Sequence, residues 1–304
     1  MKSNTNWNPQ QRVSDSNDQA AGLRRDTEAI RGSRPLRVFA FVSGKGGVGK
    51  TQMAVNTAVL AARRGQRVLI IDADLGLANV EVALGITPKH HMGDLLMGGS
   101  SIHDVICPGP AGIHILPGGS GFSELAEMPM ESRQRLLEAL EPVADTYDLV
   151  LLDVGSGIGT NVRFFAGAAQ EVILVVNDEP TSLTDAYAAI KVLCLEANVI
   201  DFNILVNESS EQMARTVFAR LSHVSARFLP ARLKYLGSVP RDLSVTRAVS
   251  RQSAFVEAFP RSVPAAALER IVVGLLSRES APKTGGMKLL LDGLLRGSNS
   301  EAGS

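Results

Sequence analysis

The segment that most constrains the fold is SGKGGVGKT, residues 43–51, which directly follows the apolar run LRVFAFV. Gly44, Gly46, Gly47 and Gly49 leave room for backbone amides to surround an anion, where larger side chains would block the approach. The spacing of Gly, four residues and then Gly-Lys-Thr is typical of a phosphate loop. Because such a loop joins a strand to a helix whose N-terminus favours phosphate, the segment predicts a strand–loop–helix unit.

Short apolar runs rich in β-branched residues recur after this unit and predict further strands. The predicted strands are residues 37–42, 67–72, 112–117, 147–153, 171–176, 202–207 and 235–240. Longer segments with apolar residues at helical spacing lie between them, for example 49–65, 132–146 and 181–198. Strands that are apolar throughout are buried on both faces, so the alternation predicts an α/β fold with a doubly wound, mainly parallel sheet covered by helices on both faces.

Composition divides the chain into one domain with extensions. Residues 1–36 are polar and poor in branched apolar residues, which predicts a flexible N-terminal tail. Residues 37–278 carry the alternating pattern and predict a single domain. Residues 279–286 form a Pro/Gly/Lys linker, residues 287–297 predict an amphipathic helix, and residues 298–304 predict a disordered end.

The overall charge and the cysteines narrow the function classes. Lysine and arginine number 31 and so do aspartate and glutamate, so bulk charge recruits neither nucleic acid nor anionic lipid. Cys107 and Cys194 lie far apart and no CxxC pair occurs, which favours structural thiols in a reducing compartment. The first 35 residues contain no apolar segment of signal-peptide length, and no later run reaches about 18 apolar residues, so we expect a cytoplasmic protein.

Acidic residues follow the strand after the phosphate loop. In the loop itself, Lys50 is expected to meet the β- and γ-phosphates and Thr51 to place its hydroxyl on Mg²⁺. Asp72 and Asp74, in IDADLGLANVEVALG, come at the carboxyl end of the next strand, where side chains of a parallel sheet face the ligand crevice. Asp74 is then free to orient an attacking water or to assist the metal. The alternative is that Asp72 caps the following turn and Asp74 is merely exposed.

A third element, YDLVLLDVGSGIG, ends its strand in Asp153. A carboxylate at this place can hold Mg²⁺ through water. Gly155 and Gly157 suit a loop that reports on the γ-phosphate. The alternative is an ordinary aspartate at the end of a strand, but three sites at the ends of strands are more specific together than any one alone.

Recognition of the base is sought later in the chain. ILVNE ends a strand at Asn207, whose amide can pair with the edge of adenine, and VPRD supplies Pro240 and Asp242 in a loop that can cover the base. The guanine-reading N-K-x-D pattern is absent, so ATP is the expected nucleotide. Asn207 could equally be a turn residue that satisfies its own backbone.

Together KGGVGKT, DADLGLANVEVALG, LLDVGSGIG and VPRD resemble the ATPases of the MinD and ParA type, whose phosphate loop carries an additional early lysine. The resemblance implies an ATPase that uses ATP and Mg²⁺. It also implies that residues 44–51, including Val48, bind the nucleotide, and that Lys45 reaches across an ATP-bound homodimer to the partner's phosphates, in the way of an arginine finger supplied in trans. The alternative for Lys45 is a loop lysine that points into water.

Four segments carry a resemblance to a smaller group within this family: DEPTSLTDAYAAIK, YLGSVPRDLSVTRAV, RQSAFVEAFPRS and, near the start, DQAAGLR. These segments resemble the flagellar-number regulators of the FlhG and FleN type. The resemblance implies control of the number and placement of flagella, restraint of a flagellar transcription activator, and stimulation of a flagellar signal-recognition-type GTPase. The motif residues that would stimulate the GTPase are Asp18, Gln19, Leu23 and Arg24. From the residues alone, this segment predicts only a short helix capped by Asp18.

The predicted helix at 287–297 has a continuous apolar face. That face consists of Met287, Leu290, Leu291, Leu294 and Leu295. Since the MinD family uses a C-terminal amphipathic helix to reach the membrane, we expect reversible association with the cytoplasmic face of the inner membrane, at the cell pole. The alternative is that the same face packs against the domain.

A basic stretch leaves a second function open. It consists of Arg215, Arg220, Arg227, Arg232, Lys234, Arg241, Arg247 and Arg251. In the alternative reading, the chain is a ParA-type DNA-segregation or cell-division-site ATPase and this stretch is a nonspecific DNA surface. A solvated helical face explains the charges as well, and we do not predict DNA binding. An iron–sulfur carrier of the related scaffold family would need the CxxC pair that this chain lacks.

Overall fold

The computed structural model describes residues 36–75, 77, 79–119 and 129–278. The predicted N-terminal tail up to residue 35 and the predicted segments at 279–286, 287–297 and 298–304 lie outside the described residues. The GTPase motif at Asp18 and the membrane helix therefore stay predictions. Within the described part, no helix is both long enough and apolar enough to cross a membrane.

A central eight-stranded sheet forms the frame of the domain. Its strands are β1 (Arg37–Ser43), β2 (Val68–Ala73), β3 (Cys107–Pro108), β4 (His114–Leu116), β5 (Leu149–Ser156), β6 (Glu171–Val176), β7 (Asp201–Asn207) and β8 (Arg232–Val239). Their order is β3-β4-β2-β5-β1-β6-β7-β8, and every pairing is parallel except the short antiparallel one between β3 and β4. The chain builds outward from β1 in both directions, so the carboxyl end of β1 is the place where a doubly wound sheet binds its ligand.

Helices cover both faces of the sheet. They are α1 (Lys50–Ala62), α2 (Val80–Leu84), α3 (Met92–Leu96), α4 (Ile102–Val105), α5 (Met130–Leu140), α6 (Thr160–Ala168), α7 (Pro180–Glu196), α8 (Glu211–Phe228), α9 (Leu243–Ser250), α10 (Phe255–Ala258) and α11 (Val263–Leu276). One buried layer joins α3 to α8 with one face of the sheet, and the other joins α1, α2 and α9 to α11 with the opposite face. This arrangement confirms the predicted doubly wound α/β fold.

Strand β1 shows how the sequence produces the two layers. Val38, Ala40 and Val42 pack into one layer, whereas Phe39 and Phe41 pack into the other. Side chains alternate between the faces of a strand, so a run without a polar residue must be covered on both sides. The apolar run that precedes the phosphate loop therefore fixes β1 in the middle of the sheet.

Several predicted boundaries were wrong. The helix predicted for 132–146 ends at Leu140 and continues as a 3₁₀ turn, Glu141–Thr146, because Pro142 has no amide hydrogen and its ring clashes with the preceding helical turn. The strand predicted for 112–117 is shortened to β4 by a 3₁₀ turn at Pro110–Gly112. Strand β3 was not predicted, because two residues are too few to show a period.

Both cysteines are free thiols. Cys194 is buried and Cys107 is half-buried. Burial raises the pKa of each thiol, which lowers the population of the reactive thiolate. These surroundings agree with the structural role predicted for both residues.

Candidate active site

The phosphate loop runs from the end of β1 to the start of α1 and packs closely against its neighbours. A Cβ on Gly44 would lie 2.1 Å from the backbone oxygen of Asp185 in α7. Gly49 has a φ of 85°, and a Cβ there would lie 2.3 Å from the Asn207 amide nitrogen. A larger residue at Gly44 would have to displace backbone, and one at Gly49 would have to displace the Asn207 side chain and adopt an unfavourable φ. The glycines therefore fix the loop in place as well as opening it to an anion.

Lys50, the first residue of α1, pairs with Asp153 of β5. The distance from Lys50 Nζ to Asp153 Oδ1 is 2.6 Å, and both side chains are buried. The second oxygen, Asp153 Oδ2, is buried without a hydrogen-bond partner among the described residues. An unsatisfied carboxylate oxygen next to a phosphate loop is available for a cation or for a water bound to one.

Asp72 lies beside Asp153, because their Cα positions are in register between β2 and β5. The Asp72 carboxylate is fully buried and accepts hydrogen bonds from the backbone amides of Asp74, Asn79 and Val80. Asp72 therefore caps the start of α2, as the alternative interpretation of this residue expected. Burial raises the pKa of Asp72 to about 7, and the neighbouring charge of Asp153 acts in the same direction.

Asp74 follows β2 and is half-buried beside the phosphate loop. Its Oδ2 accepts a hydrogen bond of 2.8 Å from the side-chain amide of Asn79. Burial raises the pKa of Asp74, against the opposing influence of Lys50, and the charge of Asp153 raises it further. A carboxylate held in this way can orient a water and accept its proton. Sequence reasoning missed Asn79, since only the folded turn shows which amide reaches Asp74.

These residues fit Mg²⁺ bound together with a nucleotide. The ammonium of Lys50 pairs with Asp153 and also influences Asp74, while the carboxylate of Asp72 lies beside Asp153. No group of three ligating side chains within the described residues is arranged to hold a metal by itself. Mg²⁺ in ATPases is held by one or two carboxylates together with phosphate oxygens and waters, so this donor set is suitable. Thr51, Asp74 and Asp153 stay the predicted ligands of the metal.

Lys45 lies at the exposed side of the loop. Its Nζ is 2.5 Å from Glu179 Oε2 and 3.0 Å from Thr181 Oγ1, both at the start of α7. The hydrogen bond and charge of Lys45 lower the pKa of Glu179. The side chain of Lys45 therefore has partners within its own chain, which the alternative of a lysine in water did not foresee.

Asn207, Pro240 and Asp242 lie together at the ends of β7 and β8. Asn207 is buried, and its amide nitrogen donates a 2.9 Å hydrogen bond to the Val48 carbonyl in the phosphate loop. Pro240 is half-buried directly after β8, and Asp242 caps α9 by accepting a 2.7 Å hydrogen bond from the Ser244 amide. Contact of these three residues with adenine stays a prediction, and the observed role of Asn207 is to hold the loop.

The basic stretch is divided between α8, β8, the loop that follows β8, α9 and the residue that follows α9, and much of its charge is neutralised locally. Arg215 pairs with Glu211, Arg241 with Glu208, and Arg232 and Lys234 with Asp201. Sequence reasoning missed these acidic partners, because it considered only Asp242 as a counter-charge to the basic stretch. Four of its basic side chains thus have an anion beside them already, which weakens the case for a DNA surface.

Fold and site together define a phosphate-loop nucleotide hydrolase. Residues 36–198 match the protein family described as "AAA domain". The chain is 44% identical over 238 residues to the antiactivator FleN of Pseudomonas aeruginosa, and the aligned region covers 78% of this chain and 85% of that protein. It is 28% identical to the flagellum site-determining protein YlxH of Helicobacter pylori over 85% of this chain and 87% of that protein.

A similar fold occurs in the septum site-determining protein MinD of Pyrococcus horikoshii, solved in complex with Mg-ADP. The TM-score is 0.66 at 24% identity, covering 80% of this chain and 96% of that one. The chain belongs to the MinD/ParA family of ATPases, in its FleN/FlhG group. It is an ATPase, with ATP and Mg²⁺ as its cofactors.

Proposed function

We propose that this ATPase is a dimerisation switch that controls the number and placement of flagella. The observation that carries the proposal is the position of Lys45 at the exposed edge of the phosphate loop, in a chain 44% identical to an antiactivator of the same family. A second lysine is not needed to hold phosphates within one chain, since Lys50 already occupies the start of α1. Lys45 is therefore available to a second copy of the chain.

The proposed mechanism uses the charges already present. Mg-ATP supplies the reacting γ-phosphate. Lys50 would bind phosphate oxygens, Asp153 would then be available to hold the metal, and Asp74 would orient the attacking water and accept its proton. Lys45 leaves Glu179 and Thr181 for the phosphates of the partner chain. An exposed ion pair of this kind is weak, so the exchange has little cost.

Partners follow from the relatives and from motifs outside the described residues. The name antiactivator, given to the Pseudomonas relative, supports a flagellar transcription activator as one partner. The name of the Helicobacter relative supports a role in flagellar placement. We further propose a signal-recognition-type GTPase as the partner of Asp18, Gln19, Leu23 and Arg24. The segment 287–297 would bind the cytoplasmic face of the inner membrane, at the cell pole.

The dependence of turnover on protein concentration tests the dimer. The ATPase rate per chain should rise with concentration for the wild type and stay low for Lys45→Ala, while ATP binding to the variant is retained. Lys191→Ala, an exposed lysine further along α7, is the matched control and should behave as the wild type. Turnover of Lys45→Ala equal to that of the wild type would reject the trans role.

Cells that carry the same variants test the biological role. Lys45→Ala should change the number of filaments per cell, whereas Lys191→Ala should not. Deletion of residues 287–304 should abolish ATP-dependent sedimentation with liposomes without abolishing ATP binding. A normal filament count with Lys45→Ala would separate the ATPase from flagellar control, and retained sedimentation would reject the membrane segment.

A further inference from the structure

The buried carboxylate of Glu81 is not used by the proposed mechanism. Glu81 lies in the first turn of α2 and only 7% of its side chain is exposed. Its Oε1 is 3.5 Å from His91 Nε2, and its Oε2 is buried without a hydrogen-bond partner among the described residues. A buried carboxylate with so few partners is costly when it is ionised, unless a positive charge lies beside it.

Helix α2 determines where Asp74 is held. The backbone amides of Asn79 and Val80 bind Asp72, and the side chain of Asn79 binds Asp74. A helix of five residues is not stable by itself, so α2 depends on contacts with its surroundings. The contact between Glu81 and His91 is one of them, and a 3.1 Å hydrogen bond from Gln252 to the Val82 carbonyl is another.

The groups around Glu81 include two that can change charge. His91 stands at the start of α3, where its backbone amide binds Asp94 Oδ2 and its imidazole reaches Glu81. Cys107, in β3, carries a thiol whose pKa is raised by burial and by the charge of Glu81. Helix α1, which also packs on α2, contributes apolar side chains to their common core. His91 is thus the group that can place a positive charge next to Glu81.

We propose that Glu81 and His91 form a proton-dependent positioning pair for ATP hydrolysis. With His91 protonated, the imidazolium neutralises the buried carboxylate and holds α2, and through Asn79 it holds Asp74 in place. With His91 neutral, the Glu81 carboxylate lacks a cation and α2 loosens. The inference rests on the proposed catalytic role of Asp74.

The sign of the pH dependence follows from burial and charge. Burial raises the pKa of Glu81, and the charge of His91 opposes that rise. Loss of the proton from the pair as the pH rises leaves a buried charge uncompensated, so the stability of α2 falls as the pH rises. Imidazole is the side chain that ordinarily changes charge between pH 5 and pH 8, which sets the range to be measured.

Hydrogen exchange of α2 tests the pair directly, without ATP. In the wild type, protection of peptides that span residues 79–86, corrected for intrinsic rates, should fall about threefold to tenfold between pH 6 and pH 8. His91→Gln should show the lower protection at both pH values. His90→Gln is the matched control, because His90 contacts Ser100 and Asp94 instead of Glu81, and it should follow the wild type.

Steady-state kinetics test the consequence for hydrolysis. The ratio of kcat for His91→Gln to kcat for the wild type should be about one third at pH 6 and close to one at pH 8, with KM unchanged. In Glu81→Gln, the exchange of α2 should no longer depend on pH, and adding His91→Gln should have no further effect on kcat.

The outcomes separate this inference from the proposed function. Suppose that Asp74→Asn inactivates the protein, but that His91→Gln has the same exchange as the wild type and the same kcat ratio at pH 6 and pH 8. That result would overturn the positioning pair alone. Full turnover of Asp74→Asn would overturn the role of Asp74 and with it the link from α2 to hydrolysis. In that case the exchange experiment would still decide whether the pair holds α2.

Discussion

The phosphate loop and the described residues between Asp74 and Gly85 both follow a buried strand at the same edge of the sheet, yet they are held differently. The loop is fixed by close backbone packing, through Gly44 against α7 and through the Asn207 amide on the Val48 carbonyl. The second segment is fixed through the carboxylates of Asp72, Asp74 and Glu81.

Because the two regions are held by different kinds of contact, nucleotide binding and hydrolysis should respond differently to pH. Contacts made by backbone and amide groups do not change charge between pH 5 and pH 8, so the cradle for phosphate should be insensitive to protons. The carboxylate of Asp72, whose pKa burial raises to about 7, does change charge in that range, and burial also raises the pKa of Asp74. Nucleotide affinity and turnover are therefore expected to respond differently to pH and to substitution.

The largest effect is expected where the two regions meet, at Lys50. Lys50→Met removes the cation that pairs with the buried Asp153, which should lower the free energy of unfolding by about 3–5 kcal/mol. ATP affinity should fall about 100-fold, because a charged donor to phosphate is lost. Urea unfolding and nucleotide titration measure the two effects.

A double variant distinguishes the two effects of Lys50. Lys50→Met with Asp153→Asn removes the unpaired charge and should recover most of the stability but none of the ATP affinity. Recovery of binding in the double variant would mean that Lys50 acts only on Asp153.

Asp72 is expected to make stability depend on pH in the protein without nucleotide and Mg²⁺. Its folded pKa of about 7 lies above its ordinary value of 3.8, so the folded state binds more protons between these values and loses stability as the pH rises. The contribution amounts to at most about 4 kcal/mol across that window. The free energy of unfolding of Asp72→Asn, minus that of wild type, should increase from pH 4 to pH 7. A constant difference would show that Asp72 is ionised throughout.

Close packing of the loop predicts a contrast between two glycines. Gly44→Ala places a methyl group against the Asp185 backbone and should lower the free energy of unfolding by about 3 kcal/mol. Gly46→Ala is the matched control, since a Cβ there would lie 3.6 Å from Ser156 Oγ, an ordinary contact. Thermal unfolding of both variants checks the contrast. Similar melting temperatures would show that the loop can shift away from α7 without loss of stability.

The smallest of these effects is expected for Asn207. Asn207→Ala removes the hydrogen bond to Val48 and should lower the free energy of unfolding by about 1–2 kcal/mol. Because the contact acts through the loop, affinity for ATP and for GTP should fall by similar factors. A loss confined to ATP would instead support the predicted contact with adenine.

Local patterns carried the prediction of the fold. Apolar runs predicted β1, β6 and β7 to within one residue at each end, because each strand must be covered on both faces. Helix α1 was less well predicted: its residues 53–61 are buried on every side, although a one-sided helix was expected from its spacing. Neighbours in the fold, not the period of the sequence, decide how much of a helix is covered.

The site was predictable only where its chemistry is local. Gly44 to Thr51, Asp74 and Asp153 are recognised from short motifs at strand ends. Lys45 and Glu179, in contrast, are 134 positions apart, and Asn207 and Val48 are 159 apart. No local pattern shows such pairs, and the same holds for the acidic partners of the basic stretch.

Mixing two inactive variants tests the central claim, that the active site is completed by Lys45 of a second chain. Lys45→Ala retains Asp74 and lacks the lysine, whereas Asp74→Asn offers the lysine and lacks the carboxylate. Each variant alone should be inactive. An equimolar mixture should recover about a quarter of the wild-type ATPase rate, because half of the dimers are mixed and each of these holds one complete site. A mixture as inactive as its components would contradict the account.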